Sequence, residues 1–284
     1  MTAGFLPLPS PINCGPSLAG KTAFVTGGLG GIGRACVAAL MAHGANVAFT
    51  YAEGRESPQD AQNVAALDPA RLSAHPLDLR SPDSIRASFG QALERWGRVD
   101  ILVNNAAVGS ATVAAYADDP FEQDAVMMNI NAVGALNVCK AFLDAAQETL
   151  SLLPRKIINL SSVGGGVQVF PGFRLSDGMS KAAVAFMTRQ LAAELAHSRV
   201  DVFAICPGAT NTGMFQASTL NKMTAQERAD FLASLPKGRL IEPAEIANLI
   251  LFLASEYSTP LHGAVMDASM GLGVRPGLIT EHQH

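Results

Sequence analysis

The sequence predicts a doubly wound α/β fold: a parallel sheet with helices on both faces, three αβα layers in one domain. Three observations carry this expectation. From Lys21 onward, short apolar runs alternate with longer helix-patterned stretches. No pair of runs is spaced as a long antiparallel hairpin. A glycine-rich turn joins the first apolar run to the first helical stretch, as βαβ units require.

Thr22–Thr26 is the first expected strand, and a helix follows the glycine turn from about Gly31 to His43. The apolar runs Asn46–Tyr51 and Leu72–Asp78 give the second and third strands. A helix over Asp83–Trp96 leads into a fourth strand, Asp100–Asn104. The next helical stretch, about Pro120 to Leu150, is long enough to kink. Lys156–Ser161 is the fifth strand, Met179–His197 a helix, and Asp201–Cys206 the sixth strand. Glu242–Ser255 is a helix, and Ala264–Asp267 the last strand. The insertion Met214–Lys237 follows the sixth strand, where such segments often act as lids. Its Met214, Phe215, Met223 and Phe231 suit either an apolar lid over a bulky substrate or a satellite core cluster. With no repeat or linker, residues 20–284 read as one domain behind an N-terminal arm, 1–19.

Composition narrows the function. Hydrophobic residues are 49% and charged residues 15% of the 284, which excludes a disordered chain. A net charge of −4 without a Lys/Arg cluster argues against nucleic acid and anionic membranes as partners. No uninterrupted apolar run reaches the roughly 18 residues of a membrane span. Met1–Ser17 lacks a basic start and is broken by Pro7, Pro9, Pro11 and Pro16, so it does not read as a signal peptide. It is expected to be an extended arm, either loose or packed on a neighbour. Cys14, Cys36, Cys139 and Cys206 are widely spaced, which suits a reducing, cytoplasmic setting and no metal site.

The glycine turn is the first motif with chemistry. In Thr26-Gly27-Gly28-Leu29-Gly30-Gly31-Ile32-Gly33, glycines let the backbone turn tightly and approach a pyrophosphate at the helix N-terminus. Further motifs lie in order along the chain: Asn104-Asn105-Ala106-Ala107 after the fourth strand, and Pro207-Gly208 with Thr212 after the sixth. Together they resemble the short-chain dehydrogenase/reductase family over about Leu18 to Gly271. The resemblance implies a seven-stranded Rossmann sheet, a nicotinamide cofactor, a small-molecule substrate and assembly as a homodimer or homotetramer. It implies cofactor contacts from Gly27, Gly31, Ile32 and Gly33, from Asp78 and Leu79, and from Asn105 and Ala106. Pro207, Gly208, Thr210 and Thr212 are implied on the nicotinamide side.

Tyr51 stands where NAD-preferring members carry aspartate, and Arg55 nearby could pair with a 2′-phosphate. Glu53, about twenty residues after Gly33, could instead accept the ribose hydroxyls. The family's frequent basic residue inside the glycine loop is absent, since Gly30 is there. NADP(H) is favoured over NAD(H).

The family's active site is Asn-Ser-Tyr-Lys. Asn131, Ser162 and Lys181 match its asparagine, its substrate-bonding serine and its ribose-binding lysine. Four residues before Lys181, where the proton-donating tyrosine is expected, stands Asp177. The three tyrosines, Tyr51, Tyr116 and Tyr257, are all remote in sequence from this helix. The loop Val163–Ser176 is about two residues longer than usual. A positioned general acid contributes ~10²–10⁴-fold to ketone reduction, and an ordinary carboxyl near pKa ~3.9 holds almost no proton at neutral pH. An anionic Asp177 suits a substrate that is already cationic, because an iminium becomes a neutral amine on accepting hydride. The substitution resembles the bifunctional reductases of fungal prenylated indole alkaloid pathways, of the paraherquamide and malbrancheamide type. Those enzymes reduce a cationic bicyclic precursor with NADPH and shape the product for an intramolecular Diels–Alder closure. Two alternatives stay open: a carbonyl/alcohol oxidoreductase with another proton donor, and a non-redox nucleotide-binding protein.

Overall fold

The computed structural model describes residues 17–148, 154–170 and 172–274. The strands are β1 (Thr22–Val25), β2 (Asn46–Ala52), β3 (Leu72–Leu77), β4 (Ile101–Asn104), β5 (Arg155–Leu160), β6 (Val200–Pro207) and β7 (Val265–Ala268). All pair in parallel, in the order β3-β2-β1-β4-β5-β6-β7. The order reverses beside β1, so the carboxyl ends of β1 and β4 diverge into a crevice where ligands bind such sheets.

The helices are α1 (Gly31–Ala42), α2 (Pro58–Ala65), α3 (Pro82–Trp96), α4 (Pro120–Met128), α5 (Ala135–Glu148), α6 (Leu175–Glu194), α7 (Gly213–Ser218), α8 (Ala225–Ser234) and α9 (Pro243–Ala254). Each sheet face buries its own core. On one, Val25, Phe49 and Ile158 meet Val37 and Leu40 of α1 and Ile246 and Ile250 of α9. On the other, Phe24, Leu102 and Ile157 meet Phe89 of α3 and Phe142 of α5. Phe24 and Phe89 stack with ring centroids 4.3 Å apart.

Several elements differ from expectation, each for a local reason. α2 is short, and its apolar stripe buries only Ala61 and Val64; Ser57 caps its start by accepting from the Asp60 amide, and Pro58 opens its first turn. α6 begins at Leu175, four residues early, and ends at Glu194. The expected 120–150 helix is divided by a π-helical turn, Asn129–Gly134. Pro120–Ala145 has a mean hydropathy of 1.4 over an 18-residue window, enough for a membrane span. Its Met127, Ile130, Val138, Cys139 and Phe142 are instead buried in the second core. The insertion after β6 folds into α7, α8 and short 3₁₀ turns. The arm up to Pro16, and the tail beyond Val274, lie outside the described residues, as does the 149–150 end of the expected fifth helix.

Candidate active site

The carboxyl ends of β1, β2, β4, β5 and β6 open into one cleft of about 760 Å³. Its floor is the glycine turn. Gly33 presses so closely on the turn that a Cβ there would lie 1.9 Å from the Gly27 carbonyl oxygen. Gly27 and Gly31 have φ of +68° and +45°, which only glycine adopts freely. Asn105 locks this turn to β4: its Nδ2 donates to the carbonyls of Thr26 and Gly27 at 2.9 and 3.1 Å. In return Thr26 Oγ1 accepts from the amides of Asn105 and Ala106, both at 2.9 Å. The N-cap of α1, Gly30, offers no side chain to the first-turn amides, and that turn holds no acid. The free amides and the helix dipole leave a seat for an anion.

At one end stand Tyr51, Glu53, Glu56, Asp78, Leu79, Arg80 and Tyr116. Arg80 donates to Asp78 from Nε and Nη2, at 3.0 and 2.8 Å. This pairing holds the Asp78 carboxyl below the usual carboxylate range. Arg55 does not line the cleft: it donates to the Ala115 carbonyl and lies 4.3 Å from the Tyr116 ring centroid. Across the middle, Pro207, Gly208, Thr210 and Thr212 line the opposite wall. Thr212 Oγ1 caps α7 by accepting from the Phe215 amide at 3.2 Å.

Ser162, Asp177 and Lys181 meet at the other end. Lys181 Nζ donates to the Leu160 carbonyl at 3.1 Å, and burial pulls its pKa down against the opposing charge of Asp177. Ser162 Oγ accepts from the Gly164 amide at 3.2 Å. Asp177 is half-buried. Burial raises its carboxyl pKa, with Lys181 and then Arg174 opposing the rise. Among the described residues, no hydrogen bond or ion pair engages that carboxylate. Tyr51 and Tyr116 lie at the Asp78 end, and Tyr257 sits in the turn Glu256–Leu261 after α9.

Asn131 is not in the cleft wall. Its carboxamide clasps Val108, accepting from its amide at 2.8 Å and donating to its carbonyl at 2.9 Å. The same Nδ2 donates to Ser180 Oγ at 3.2 Å. Gly33 likewise acts from behind the wall. Of the four lid candidates, Met214 and Phe215 line the cleft, while Phe231 packs near Phe215 with centroids 6.1 Å apart. Met223 does not reach the cleft wall.

Four contributors escaped the sequence reading. Phe173 and Arg174 line the cleft from the long loop before α6. Arg174 ties that loop to α4, donating to Asp124 from Nε at 2.8 Å and from Nη2 at 2.7 Å. Tyr116, a lone aromatic in a connecting loop, gave no periodic signal. Arg80 had one, standing two residues after Asp78.

A family model described as enoyl-(acyl carrier protein) reductase matches residues 27–273. The chain belongs to the short-chain dehydrogenase/reductase family. Oxidoreductase UcpA of Escherichia coli K12 is 34% identical over 251 residues, 87% of this chain and 92% of that protein. The Pseudomonas aeruginosa RhlG/NADP active-site complex superposes with a TM-score of 0.79 at 30% identity, covering 91% of this chain and 98% of that one. A Brucella melitensis 3-oxoacyl-[acyl-carrier protein] reductase in complex with NAD gives 0.78 at 26% identity, covering 90% and 98%. Short-chain dehydrogenases/reductases are NAD(P)-dependent oxidoreductases acting on small molecules, and the glycine cradle with its uncapped α1 fits such a dinucleotide. This membership sets aside the non-redox alternative. Structural neighbours bind either NADP or NAD.

Proposed function

We propose that this protein is an NADP(H)-dependent reductase of a cationic C=N bond, an iminium, in secondary metabolism. The observation that carries the reading is the Asp177 carboxylate, in the cleft one helical turn from Lys181 and without a partner of its own. A partly buried carboxylate that no hydrogen bond or ion pair engages is disfavoured, and a cationic ligand adds to the opposing charges of Lys181 and Arg174. At ~4 Å and an intermediate effective dielectric the attraction reaches about 4 kcal/mol before desolvation is subtracted. The ground state shares much of it, so only part accelerates the reaction.

The bound nicotinamide supplies hydride. Lys181 holds its ribose, and Ser162 presents a hydroxyl to the reacting end of the substrate. Asp177 faces the cation, and no proton needs to be donated as the amine forms. Arg80 favours the 2′-phosphate of NADP(H) at the Asp78 end, with the Arg55 charge held on the Tyr116 ring outside the cleft wall. Met214, Phe215 and Phe173 give the substrate chamber apolar surface. Followed as far as the alkaloid reductases, the same chamber folds the product for an intramolecular cycloaddition, which chiral analysis of the products would reveal. Assembly as a homodimer or homotetramer belongs to the same proposal, and light scattering reads it as two or four times the chain mass.

One observation favours a second reading. The burial that raises the Asp177 pKa also lets the carboxyl keep a proton, as a ketone reductase needs. Turnover of permanently charged N-alkyl iminium ions and of ketones, each against pH, separates the two. The iminium reading expects turnover of the cations that rises with pH through the Asp177 pKa, and its loss in Asp177→Asn. Ketone turnover that falls with rising pH through that pKa would replace it with the acid reading.

A further inference from the structure

The connection between β4 and α4 carries a tyrosine that the reaction itself does not use. We propose that Tyr116 is a positioning residue that sets the choice between the two nicotinamide dinucleotides, by holding Arg80 at the ribose end of the cleft and the Arg55 charge against the same ring, outside the cleft wall. The inference rests on the preference for NADP(H) proposed above.

The two guanidiniums come from separate loops, one after β2 and one after β3, and like charges on separate loops drift apart unless something holds both. Tyr116 does so. The Arg55 guanidinium carbon lies 4.3 Å from its ring centroid and that of Arg80 5.2 Å. The negative π-face attracts each cation. Arg55 is pinned further by its hydrogen bond to the Ala115 carbonyl, in the residue before the ring.

The ring is itself well anchored. Buried Val113 begins a 3₁₀ turn, Val113–Ala115, and the Tyr116 amide donates to the Val113 carbonyl at 2.9 Å. Upstream, Thr112 Oγ1 accepts from the Gly109 amide at 2.9 Å, and Asn131 clasps Val108. The loop thus enters the cleft as a braced arm tipped with an aromatic face.

Acids face the same end. Asp78 is paired with Arg80 at 2.8 Å, and Glu56 Oε2 accepts from the Ala52 amide at 2.6 Å. Glu53 lines the wall beside them. Ribose hydroxyls are recognised by such acids, and a 2′-phosphate by gathered guanidiniums. Three acids and one guanidinium therefore line this end, and the ring determines whether the second guanidinium adds its charge from behind them. Loosening the two guanidiniums tips the site from NADPH towards NADH.

The test titrates NADPH and NADH into wild type, Tyr116→Leu and Tyr116→Phe, following cofactor fluorescence. Leucine keeps apolar bulk without a π-face, and phenylalanine keeps the face without the hydroxyl. Tyr116→Leu is expected to weaken NADPH about tenfold with NADH nearly unchanged, while Tyr116→Phe retains the wild-type ratio. A wild-type ratio in Tyr116→Leu, or equal loss of both cofactors, would overturn the positioning role and leave the NADP(H) preference standing. Tyr116→Phe behaving like Tyr116→Leu would overturn the π-face argument. Wild type that binds NADH as tightly as NADPH would overturn the preference, and this inference with it.

Discussion

Asp177 sits where its environment disfavours its charge, and that has a consequence for stability as well as for chemistry. Its native pKa is raised, so the folded chain binds more protons than the unfolded chain between the unfolded value, near ~3.9, and the raised one. Stability therefore falls as pH rises through that window. Asp177→Asn is expected to stabilise the fold at pH 7, read as a higher melting temperature, while removing iminium turnover. Thermal scans at pH 4 and pH 7 check the sign, because the gain should vanish at the lower pH. Gly33 is the opposite kind of residue, with no chemistry and no room. A Cβ 1.9 Å from the Gly27 oxygen and 2.6 Å from Asn105 Nδ2 forces the cradle open. Gly33→Ala should destabilise by about 1–3 kcal/mol and abolish dinucleotide binding, as measured by denaturation and cofactor titration.

Among elements, the helical rod from α4 to α5 shows how a buried asparagine is placed. The π turn Asn129–Gly134 interrupts the α-helical ladder at the point where Asn131 must turn towards the β4–α4 loop. Asn131→Ala leaves the Val108 amide and carbonyl without partners in a buried place. We expect a loss of about 2–4 kcal/mol by urea unfolding. Because that loop also carries Tyr116, NADPH binding should weaken in the same variant. α6 is positioned by packing of a similar closeness. Gly165, at φ +92°, lies so near α6 that a Cβ would meet the Gly178 oxygen at 2.1 Å. This contact holds the loop Val163–Ser176 against the start of α6, which carries Asp177 into the cleft.

At the scale of the molecule, the cleft is walled by segments from Gly27 to Lys222, drawn from both halves of the sheet. The two sides approach closely: a Cβ on Gly31 would lie 2.8 Å from Thr212 Cγ2, and one on Gly109 would lie 2.9 Å from Met214 Sδ. A dinucleotide in this seat bridges halves that otherwise touch through few side chains there. Saturating it at about a hundred times its dissociation constant should add about 2.7 kcal/mol of stability. The melting temperature should rise by roughly 5–10 °C, read by scanning fluorimetry with and without cofactor.

The sequence by itself determined the sheet, the glycine cradle and the identities of Ser162, Asp177 and Lys181. Each depends on short-range chemistry: apolar periodicity, positive-φ glycines, and a one-turn spacing on a helix. It also put Asp177 one helical turn before Lys181, because that spacing is a property of the chain alone. The tertiary structure decided the rest. α2 was hidden because it is short and its apolar stripe buries only Ala61 and Val64. Arg55 turned out to face Tyr116 and Ala115 instead of the cleft, an outcome set by a loop 60 residues away in sequence. Asn131 acts from behind the wall, and Phe173 and Arg174 reach the site only because glycines let their loop lie flat against α6. Above all, the charge state of Asp177 follows from burial and from which neighbours leave it unpartnered. Those are properties of a packed environment, which no local stretch of residues contains.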